Sequence, residues 1–314
     1  MTASVCVVIP VFNDWQPLSV LLRGLDRSLS GFDVTVLAID DCTPGGGAPS
    51  VDGLVNISEV RVVRLLRNVG HQQAIAVGLS YCNANVAADW YVVMDADGED
   101  RPEDVPRLLE RAASRPETVV FGARAKRSEG PLFRFSYWCY QLLYWVLVGR
   151  VIDFGNFSCI PRCLLAKVAS IRQISSHYPS GITHSKLSHD TILCQRGQRY
   201  AGKSKMNVTS LWLHGLSSIS VHSDLVMVRA LIFLVILFCV LMLAGLAVLY
   251  VKLFTDLALP GWATTVMLNL TSLMIQVIFM NFICVFLFIN ISAQNKHLPP
   301  LEHEKFIASV ELAS

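Results

Sequence analysis

Short apolar runs rich in β-branched and aromatic residues alternate with longer amphipathic segments over the first 123 residues of the chain. Apolar runs closed by polar turn residues predict buried strands, and the longer periodic segments predict helices. The predicted strands are Val5–Ile9, Val34–Ile39, Val60–Leu66, Trp90–Met94 and Val119–Gly122, and the predicted helices are Leu18–Leu29, Gln72–Tyr81 and Val105–Ala113. Strands that alternate with helices predict an α/β fold with a mostly parallel sheet.

Two long uncharged stretches follow in the last third of the chain, from Ala230 to Val251 and from Leu257 to Asn295. Each supplies the roughly 20 apolar residues that a helix needs to cross a bilayer. Buried core helices are the alternative, but such helices average about 11 or 12 residues. The pattern therefore predicts two transmembrane helices, near residues 226 to 251 and 266 to 291.

Charge is distributed unevenly, although the formal net charge is only +2. Residues 1–123 hold 9 Lys and Arg against 16 Asp and Glu, whereas residues 124–224 hold 13 against 4. A basic segment before a membrane helix predicts contact with anionic membrane lipids or a phosphorylated lipid. Nucleic acid is the competing partner, but aromatic residues are not interleaved with these charges, so no nucleic acid is expected. The nine cysteines are scattered without a C-x-x-C pair, which is typical of a reducing compartment.

Acidic pairs stand where two of the predicted strands end. Asp95 and Asp97 follow the fourth strand, and Asp40 and Asp41 close the second. In open α/β sheets ligands lie beyond the carboxyl ends of the strands. Two acids spaced i, i+2 suit Mg²⁺ or Mn²⁺ held jointly with the phosphates of a ligand. The alternative is a solvated turn, because a D-x-D pair arises by chance about once in a chain of this size. The strand in front of the pair favours a nucleoside-diphosphate site.

Seven short motifs follow one another along the chain. They are VVIPVFND (Val7–Asp14), IDDCT (Ile39–Thr43), RNVGHQQA (Arg67–Ala74), MDADGEDRPED (Met94–Asp104), FGAR (Phe121–Arg124), DFGNF (Asp153–Phe157) and RGQRYAGKSKM (Arg196–Met206). In this order, and followed by two apolar spans, they resemble the inverting family-2 glycosyltransferases of the GT-A fold. Within that family the resemblance is to the polyprenyl-phosphate group, which includes dolichol-phosphate mannose synthase and bacterial undecaprenyl-phosphate glucosyltransferases. It implies a Rossmann-like GT-A domain followed by two transmembrane helices.

The resemblance also implies a set of site residues. The positions that match the nucleotide-sugar site are Pro10, Phe12, Asp14, Asp41, Asp95, Ala96, Arg196, Arg199, Ser204 and Lys205. The positions that match the site of the metal cofactor, Mg²⁺ or Mn²⁺, are Asp95, Asp97 and Glu99, with Asp97 as the principal ligand and Glu99 where the family commonly has Gln. The positions that match catalytic residues are Asp97, Arg124, Arg134 and Asp153. The two arginines are expected to hold phosphates, which suits the planar guanidinium.

The chain departs from the family pattern after Asp153. Many relatives read D-x-G-D-F-R there, whereas this chain has the neutral residues Asn156 and Ser158 in place of the second acid and the Arg. This leaves open a different acceptor headgroup or donor sugar. An alcohol acceptor would require a carboxylate base, for which Asp153 and Asp100 are the candidates, whereas a lipid phosphate is already ionised and requires none.

The resemblance implies an enzyme that moves a hexose from a UDP- or GDP-sugar to polyprenyl phosphate on the cytoplasmic face of a membrane, with inversion. One alternative is transfer to another lipid or to a polysaccharide, although a processive synthase would carry more spans and a Q-x-x-R-W motif. A second alternative is a non-catalytic membrane scaffold, against which the intact acidic and basic motifs argue. A homo-oligomer is left open.

Four segments are predicted: a GT-A glycosyltransferase domain at residues 1–206, a juxtamembrane amphipathic helix at 207–225, a transmembrane hairpin at 226–295 and a cytoplasmic tail at 296–314. Of the 26 Lys and Arg residues, 22 precede residue 226, and no basic leader precedes Val5. These features predict a multi-pass protein of the cytoplasmic (inner) membrane with its catalytic domain in the cytoplasm. The segment Pro131–Val151 suits either a helix in the headgroup layer or a buried one.

Overall fold

The structure is a computed structural model that describes residues 2–124, 141–149, 154–200, 215–255, 261–296 and 302–313. The chain divides into two compact units. The first contains Met1–Gln141, Arg150–Val221 and Pro299–Ser314, and the second contains Leu142–Gly149 and His222–Leu298.

The first unit is an α/β domain built around an eight-stranded sheet. Its strands are β1 (Ser4–Val11), β2 (Asp33–Asp40), β3 (Ile57–Leu65), β4 (Trp90–Val93), β5 (Val119–Arg124), β6 (Phe154–Pro161), β7 (His189–Cys194) and β8 (Ile307–Leu312). Its named helices are α1 (Trp15–Ser28), α2 (His71–Asn85), α3 (Val105–Ala113), α4 (Arg162–Ala169) and α5 (Tyr178–His184). All five strands and all three helices predicted within the first 123 residues are present, with ends that differ by a few residues.

The sheet is mixed, in the order β7-β5-β6-β4-β1-β2-β3-β8. Strands β4, β1, β2 and β3 are mutually parallel, and β6 and β8 are antiparallel to the strands beside them. Parallel strands place their carboxyl ends at one edge, where a ligand site is expected. In the register of this sheet, Val8 pairs with Val93 and Val11 pairs with Asp40. The loops after β1, β2 and β4 therefore leave the sheet side by side.

The core lies on both faces of the sheet. Strand β1 is buried along nearly its whole length, as expected for a parallel strand covered by helices on two sides. Val7 and Ile9 pack with leucines of α1 such as Leu22, whereas Val8 packs with α2 residues such as Leu79. Each fully buried aliphatic side chain of this kind contributes about 1.5–3 kcal/mol. These two layers hold the strand ends, and hence the loops that follow them, in fixed positions.

The C-terminal residues add an edge strand to the first unit. Strand β8 pairs antiparallel with β3, with Val310 opposite Val63. Residues 307–312 of the predicted cytoplasmic tail thus belong to the sheet, a contribution that the sequence did not indicate. The remaining segment boundaries, including that of the predicted helix at 207–225, stay predictions.

The second unit contains two long apolar helices, α6 (Ser223–Phe254) and α7 (Trp262–Lys296), which pack against each other. By length and composition both are candidate membrane spans, and only 6% of the most apolar window of each is buried. A core helix of a water-soluble domain would be mostly buried. The two predicted spans are therefore present as helices, each a few residues longer than predicted.

A short helical stretch at residues 141–148 also belongs to the second unit from Leu142 onward. Leu142, Trp145 and Val146 are exposed there, while Tyr144 is buried. Arg229 of α6 donates a hydrogen bond to the carbonyl oxygen of Val146 at 2.7 Å. The rest of the segment Pro131–Val151 lies outside the described residues, so its placement in the headgroup layer stays a prediction.

Candidate active site

The loop after β4 is folded on itself by its own acidic side chains. The carboxylate of Asp100 accepts the backbone N–H of Asp95 at 3.1 Å, and that of Asp97 accepts the N–H of Glu99 at 2.9 Å. Gly98 lies in the left-handed region at φ +88°, and a Cβ atom at this position would lie 2.6 Å from the ring of Tyr200. Only glycine satisfies both conditions. The result is a tight turn that carries four closely spaced carboxylates, those of Asp95, Asp97, Glu99 and Asp100.

A second loop, residues 195–200 after β7, is bound to this turn through the backbone. Gly197 donates its N–H to the carbonyl oxygen of Glu99 at 2.9 Å, and Tyr200 donates to that of Asp97 at 3.0 Å. A Cβ atom on Gly197 would lie 2.1 Å from the carbonyl oxygen of Gly98, so the loops approach this closely only because residue 197 is glycine. We call these two segments, residues 95–101 and 195–200, the paired loops.

Three ion pairs join the side chains of the paired loops. Arg196 Nη2 lies 2.7 Å from Glu99 Oε1, and Arg199 Nε lies 2.8 Å from the same oxygen. Arg199 Nη2 also lies 3.0 Å from Asp97 Oδ2. Burial raises the pKa of Asp97 and the nearby Asp95 adds to this, against the opposing effects of the Glu99 N–H and of Arg199. The structure therefore brings together four of the predicted site residues in one strongly charged cluster.

His71 joins the same site, although the sequence analysis gave it no role. It is the first residue of α2, and its Nε2 lies 3.2 Å from Asp95 Oδ1. Burial lowers the pKa of His71, but Asp95, aided by Asp100 and Asp97, more than offsets this and raises it. A cation at a helix N-terminus is otherwise unfavourable, so Asp95 is the group that holds it there. The motif RNVGHQQA contained His71, but nothing local indicated its partner.

Of the two departures from the family pattern, Asn156 lies beside His71, and the buried Ser158 is linked to Asn156 by a hydrogen-bond network. The amide of Asn156 lies 2.9 Å from His71 Nε2, and its Oδ1 accepts a hydrogen bond from Gln72 at 3.1 Å. Gln72 in turn accepts the backbone N–H of Tyr178, whose hydroxyl lies 2.8 Å from the hydroxyl of Ser158. Asn156 and Ser158 are thus built into the wall of the site.

The acid pair at the end of β2, Asp40 and Asp41, has different partners from the pair after β4. Asp41 accepts the backbone N–H groups of Val69 and Gly70 at 2.7 and 2.9 Å. Burial raises the pKa of Asp41, and these two N–H groups oppose the shift. Asp40 pairs with Arg64 at 2.9 Å and accepts the N–H of Thr43. Both acids therefore fix neighbouring loops, and the contact of Asp41 with a nucleobase stays a prediction.

The remaining predicted residues fall into two groups. Pro10 and Ala96 are buried, Phe12 is partly exposed at the end of β1, and Asp14 precedes α1. Pro10 belongs to the last part of β1, and the other three lie in the loops that leave the carboxyl edge of the sheet. Arg124 is the last residue of β5. Four further predicted residues lie outside the described part of the chain: Arg134, Asp153, Ser204 and Lys205.

The donor set fits a hard divalent cation in part. Asp95 and Asp97 offer carboxylate oxygens from one turn, and Mg²⁺ is commonly held by one or two carboxylates, waters and substrate phosphates. Burial, with a further contribution from Asp95, raises the pKa of Asp97, and a bound cation would offset both effects. Glu99 fits less well, because one of its oxygens is shared by two guanidinium groups. Within the described residues, no group of three or more His, Cys, Asp and Glu is arranged to hold a metal.

Comparisons with known proteins identify the family of the chain. Residues 6–175 match the profile of the family described as "Glycosyl transferase family 2". The chain is 24% identical to the "Uncharacterized glycosyltransferase YkcC" of Bacillus subtilis, over 84% of this chain and 82% of that protein. It is 24% identical to the "Bactoprenol glucosyl transferase" of Shigella phage SfX, over 69% and 72%.

Other matches are shorter or purely structural. The chain is 28% identical to the "Undecaprenyl-phosphate 4-deoxy-4-formamido-L-arabinose transferase" of Erwinia tasmaniensis, over 50% of this chain and 48% of that protein. Among solved structures it is similar to a glucosyl-3-phosphoglycerate synthase from Mycobacterium tuberculosis, with 14% identity, coverage of 72% and 79% and a TM-score of 0.49. Since the family profile spans more than half of the residues and the domain has the mixed GT-A-like sheet, the chain belongs to glycosyl transferase family 2 and is a glycosyltransferase.

Proposed function

We propose that this protein transfers a hexose from a nucleotide-sugar, UDP- or GDP-linked, to polyprenyl phosphate, with inversion at the anomeric carbon. The observation that carries the proposal is the contact between Arg199 and Asp97 at the carboxyl edge of the sheet. This contact supports the proposal because it joins a guanidinium group suited to a diphosphate to a carboxylate suited to a divalent cation. Relatives named as undecaprenyl-phosphate and bactoprenol transferases support the choice of acceptor.

The reaction is a displacement at the anomeric carbon. A phosphate oxygen of the lipid forms the new bond to that carbon as the bond to the donor diphosphate breaks, and the nucleoside diphosphate leaves. The attacking oxygen is already ionised at neutral pH, so no side chain has to remove a proton, and positioning supplies most of the rate. Inversion follows from attack on the face opposite the leaving group.

Negative charge builds up on the departing diphosphate, and the site has cationic groups that would stabilise this charge. Asp95 and Asp97 would hold a Mg²⁺ or Mn²⁺ ion, which supplies Lewis-acid stabilisation of the leaving phosphate when bound. Arg196 and Arg199 provide fixed donors for the phosphate oxygens, which stabilise the charge where it develops. His71, whose Nε2 lies 3.2 Å from Asp95 Oδ1, would add positive charge to the same part of the site when it is protonated.

The two apolar helices support a membrane location for this chemistry. Each is long and apolar enough to span a bilayer, and a polyprenyl acceptor would itself reside in the membrane. The loop between the predicted spans carries only Lys252 and Asp256, whereas 22 of the 26 Lys and Arg residues precede the first span, and this bias favours a catalytic unit on the cytoplasmic side of the inner membrane. The membrane-bound orientation can be checked by labelling engineered single cysteines from either side of sealed vesicles.

The proposed function is tested by sugar transfer into extractable lipid. Detergent-purified protein is mixed with undecaprenyl phosphate and with each of several radiolabelled UDP- and GDP-sugars, with Mg²⁺, with Mn²⁺ or with a chelator. We expect label in the organic phase for one donor, lost with chelator, and a product whose anomeric configuration is opposite to that of the donor. Label that enters only a water-soluble or polysaccharide product would refute the acceptor, and the absence of transfer from every donor would favour a scaffold.

A further inference from the structure

The carboxylate of Glu99 has a role that differs from metal binding. Its side chain is 8% exposed, and its Oε1 atom lies 2.7 Å from Arg196 Nη2 and 2.8 Å from Arg199 Nε. These arginines come from a loop almost 100 residues further along the chain. A cation bound at this oxygen would sit against two guanidinium groups, which is electrostatically unfavourable.

We propose that Glu99 is a positioning residue that holds Arg196 and Arg199 against the donor site before the nucleotide-sugar binds. This inference rests on the proposed function, because it gives those arginines the donor diphosphate as their ligand. A charged acceptor shared by two guanidinium groups gives stronger and more directional hydrogen bonds than a neutral one. Pre-organised arginines bind phosphate at a smaller entropic cost than arginines that must first be ordered.

The geometry of Arg199 suits its side chain both to the site before its ligands bind and to the site with cation and donor diphosphate bound. Its Nε is bound to Glu99, while its Nη2 is bound to Asp97 at 3.0 Å. When Asp97 takes up a cation, the Nη2 atom is released toward a phosphate oxygen, and the Nε atom remains on Glu99. Only one contact has to change partner, so the arginine stays in place through the exchange.

The backbone of the paired loops supports the same arrangement. The N–H groups of Gly197 and Tyr200 are bound to the carbonyl oxygens of Glu99 and Asp97. Glu99 therefore fixes both the backbone and the cationic side chains of the 195–200 loop.

The test compares Glu99→Gln with Glu103→Gln, a matched control whose acid pairs with Arg101 at 3.3 Å but is 61% exposed. Hydrogen exchange of residues 195–200 is first measured in the unmutated protein without nucleotide or metal, where we expect Gly197 and Tyr200 to be protected.

In Glu99→Gln we expect about tenfold faster exchange of this segment and about tenfold weaker binding of UDP or GDP with Mn²⁺. Affinity for Mn²⁺ alone and the thermal midpoint should change little, and KM should rise more than kcat falls. The control should match the unmutated protein.

Three results would overturn the inference. They are rapid exchange of the 195–200 amides in the unmutated protein, unchanged exchange in both Glu99→Gln and Glu99→Ala, and a large loss of Mn²⁺ affinity in Glu99→Gln, which would identify Glu99 as a metal ligand. Glu99→Ala repeats the comparison in case the Gln amide retains both hydrogen bonds. The exchange and Mn²⁺ measurements need no sugar transfer, so a failure of the proposed function would appear separately, as an unmutated protein that transfers no sugar.

Discussion

The two acid-bearing loops of the sheet, after β2 and after β4, share one sequence signal but differ in the partners of their carboxylates. After β2, Asp41 accepts backbone N–H groups of Val69 and Gly70. After β4, the partners of Asp97 and Glu99 include the side chains of Arg196 and Arg199. Backbone partners are fixed with the fold, whereas a side-chain cation can move to a phosphate and leave its carboxylate to a metal. The first loop is therefore a scaffold, and the second is suited to binding.

The loop after β2 also has a side-chain cation, Arg64, bound to one of its acids, but this arginine has several other protein partners. It contacts Asp40 at 2.9 Å, Glu311 of β8 at 3.0 Å and the carbonyl oxygen of Gly47 at 2.8 Å. Its guanidinium also lies 5.9 Å from the ring of Trp15. These contacts connect the β2 loop to the edge strand β8, so we assign Arg64 a structural role and not a ligand-binding one.

The largest effect is expected at the binding loop. Asp97→Asn should lower sugar transfer by at least about a hundredfold, because it removes a charge from the group proposed to hold the cation beside the leaving diphosphate. The protein should remain folded: burial raises the pKa of Asp97, so its ionised form is costly and a neutral amide is tolerated. Label in the lipid fraction and the thermal midpoint in detergent measure the two expectations.

The matched control for this substitution is Asp52→Asn, an exposed acid in the scaffold region. It should leave transfer unchanged. Transfer by Asp97→Asn at the level of the unmutated protein would remove the metal role and, with it, the distinction between the two loops.

The next effect concerns stability, at the scaffold loop. Arg64→Ala should destabilise the first unit by about 2–3 kcal/mol, because it leaves the carboxylate of Asp40, which is 3% exposed, without its cation. Glu311→Gln removes only the exposed partner of Arg64 and should produce no measurable change. Thermal midpoints in detergent compare the two variants, and equal losses would show that the edge strand, rather than Asp40, depends on Arg64.

The elements of the fold were largely predictable from the sequence because their signals are local. Apolar runs with turn residues at their ends marked β1 to β5, and uncharged length marked α6 and α7. Strand β8 was missed because its six residues, IASVEL, include two polar ones and are mostly exposed, and their pairing is with a strand more than 240 residues earlier. An edge strand of this kind is defined by its partner and hardly by its own pattern.

The sequence was sufficient to predict most residues of the site, but it did not indicate which of them contact one another. The acids and arginines could be named from their motifs, yet nothing in the sequence indicated that Glu99 faces Arg196 and Arg199. His71 was missed for the same reason, since a lone His at the start of a helix gives no sign of the Asp95 carboxylate beside it. Such pairs form between loops that are distant in sequence and that the sheet brings together. The sequence of either loop alone therefore does not reveal the pairing.

A smaller effect is expected at Asp41. Asp41→Asn replaces one of two acceptor oxygens by an amide group that faces a backbone N–H, which should cost about 1–2 kcal/mol. Removal of a buried charge offsets part of this cost, because burial raises the pKa of Asp41. Transfer should fall less than tenfold, and hydrogen exchange at Val69 and Gly70 should quicken. A loss of transfer as large as that of Asp97→Asn, without loss of stability, would instead place Asp41 in ligand binding.

The smallest effect is a pH dependence at Asp26, an acid held almost entirely by the backbone. Burial tends to raise its pKa, but the N–H groups of Asn56, Ile57 and Val55 outweigh burial and lower the pKa below its usual value of 3.8. A carboxylate with a lowered pKa stabilises the fold above its unfolded-state pKa, and this contribution disappears as the pH falls through the folded-state pKa. The thermal midpoint of the unmutated protein should thus exceed that of Asp26→Asn at pH 7, with a difference that narrows below about pH 4. A difference that stays constant from pH 7 to pH 3 would show that Asp26 contributes through shape and hydrogen-bond count alone, and the scaffold acids would then owe nothing to their charge.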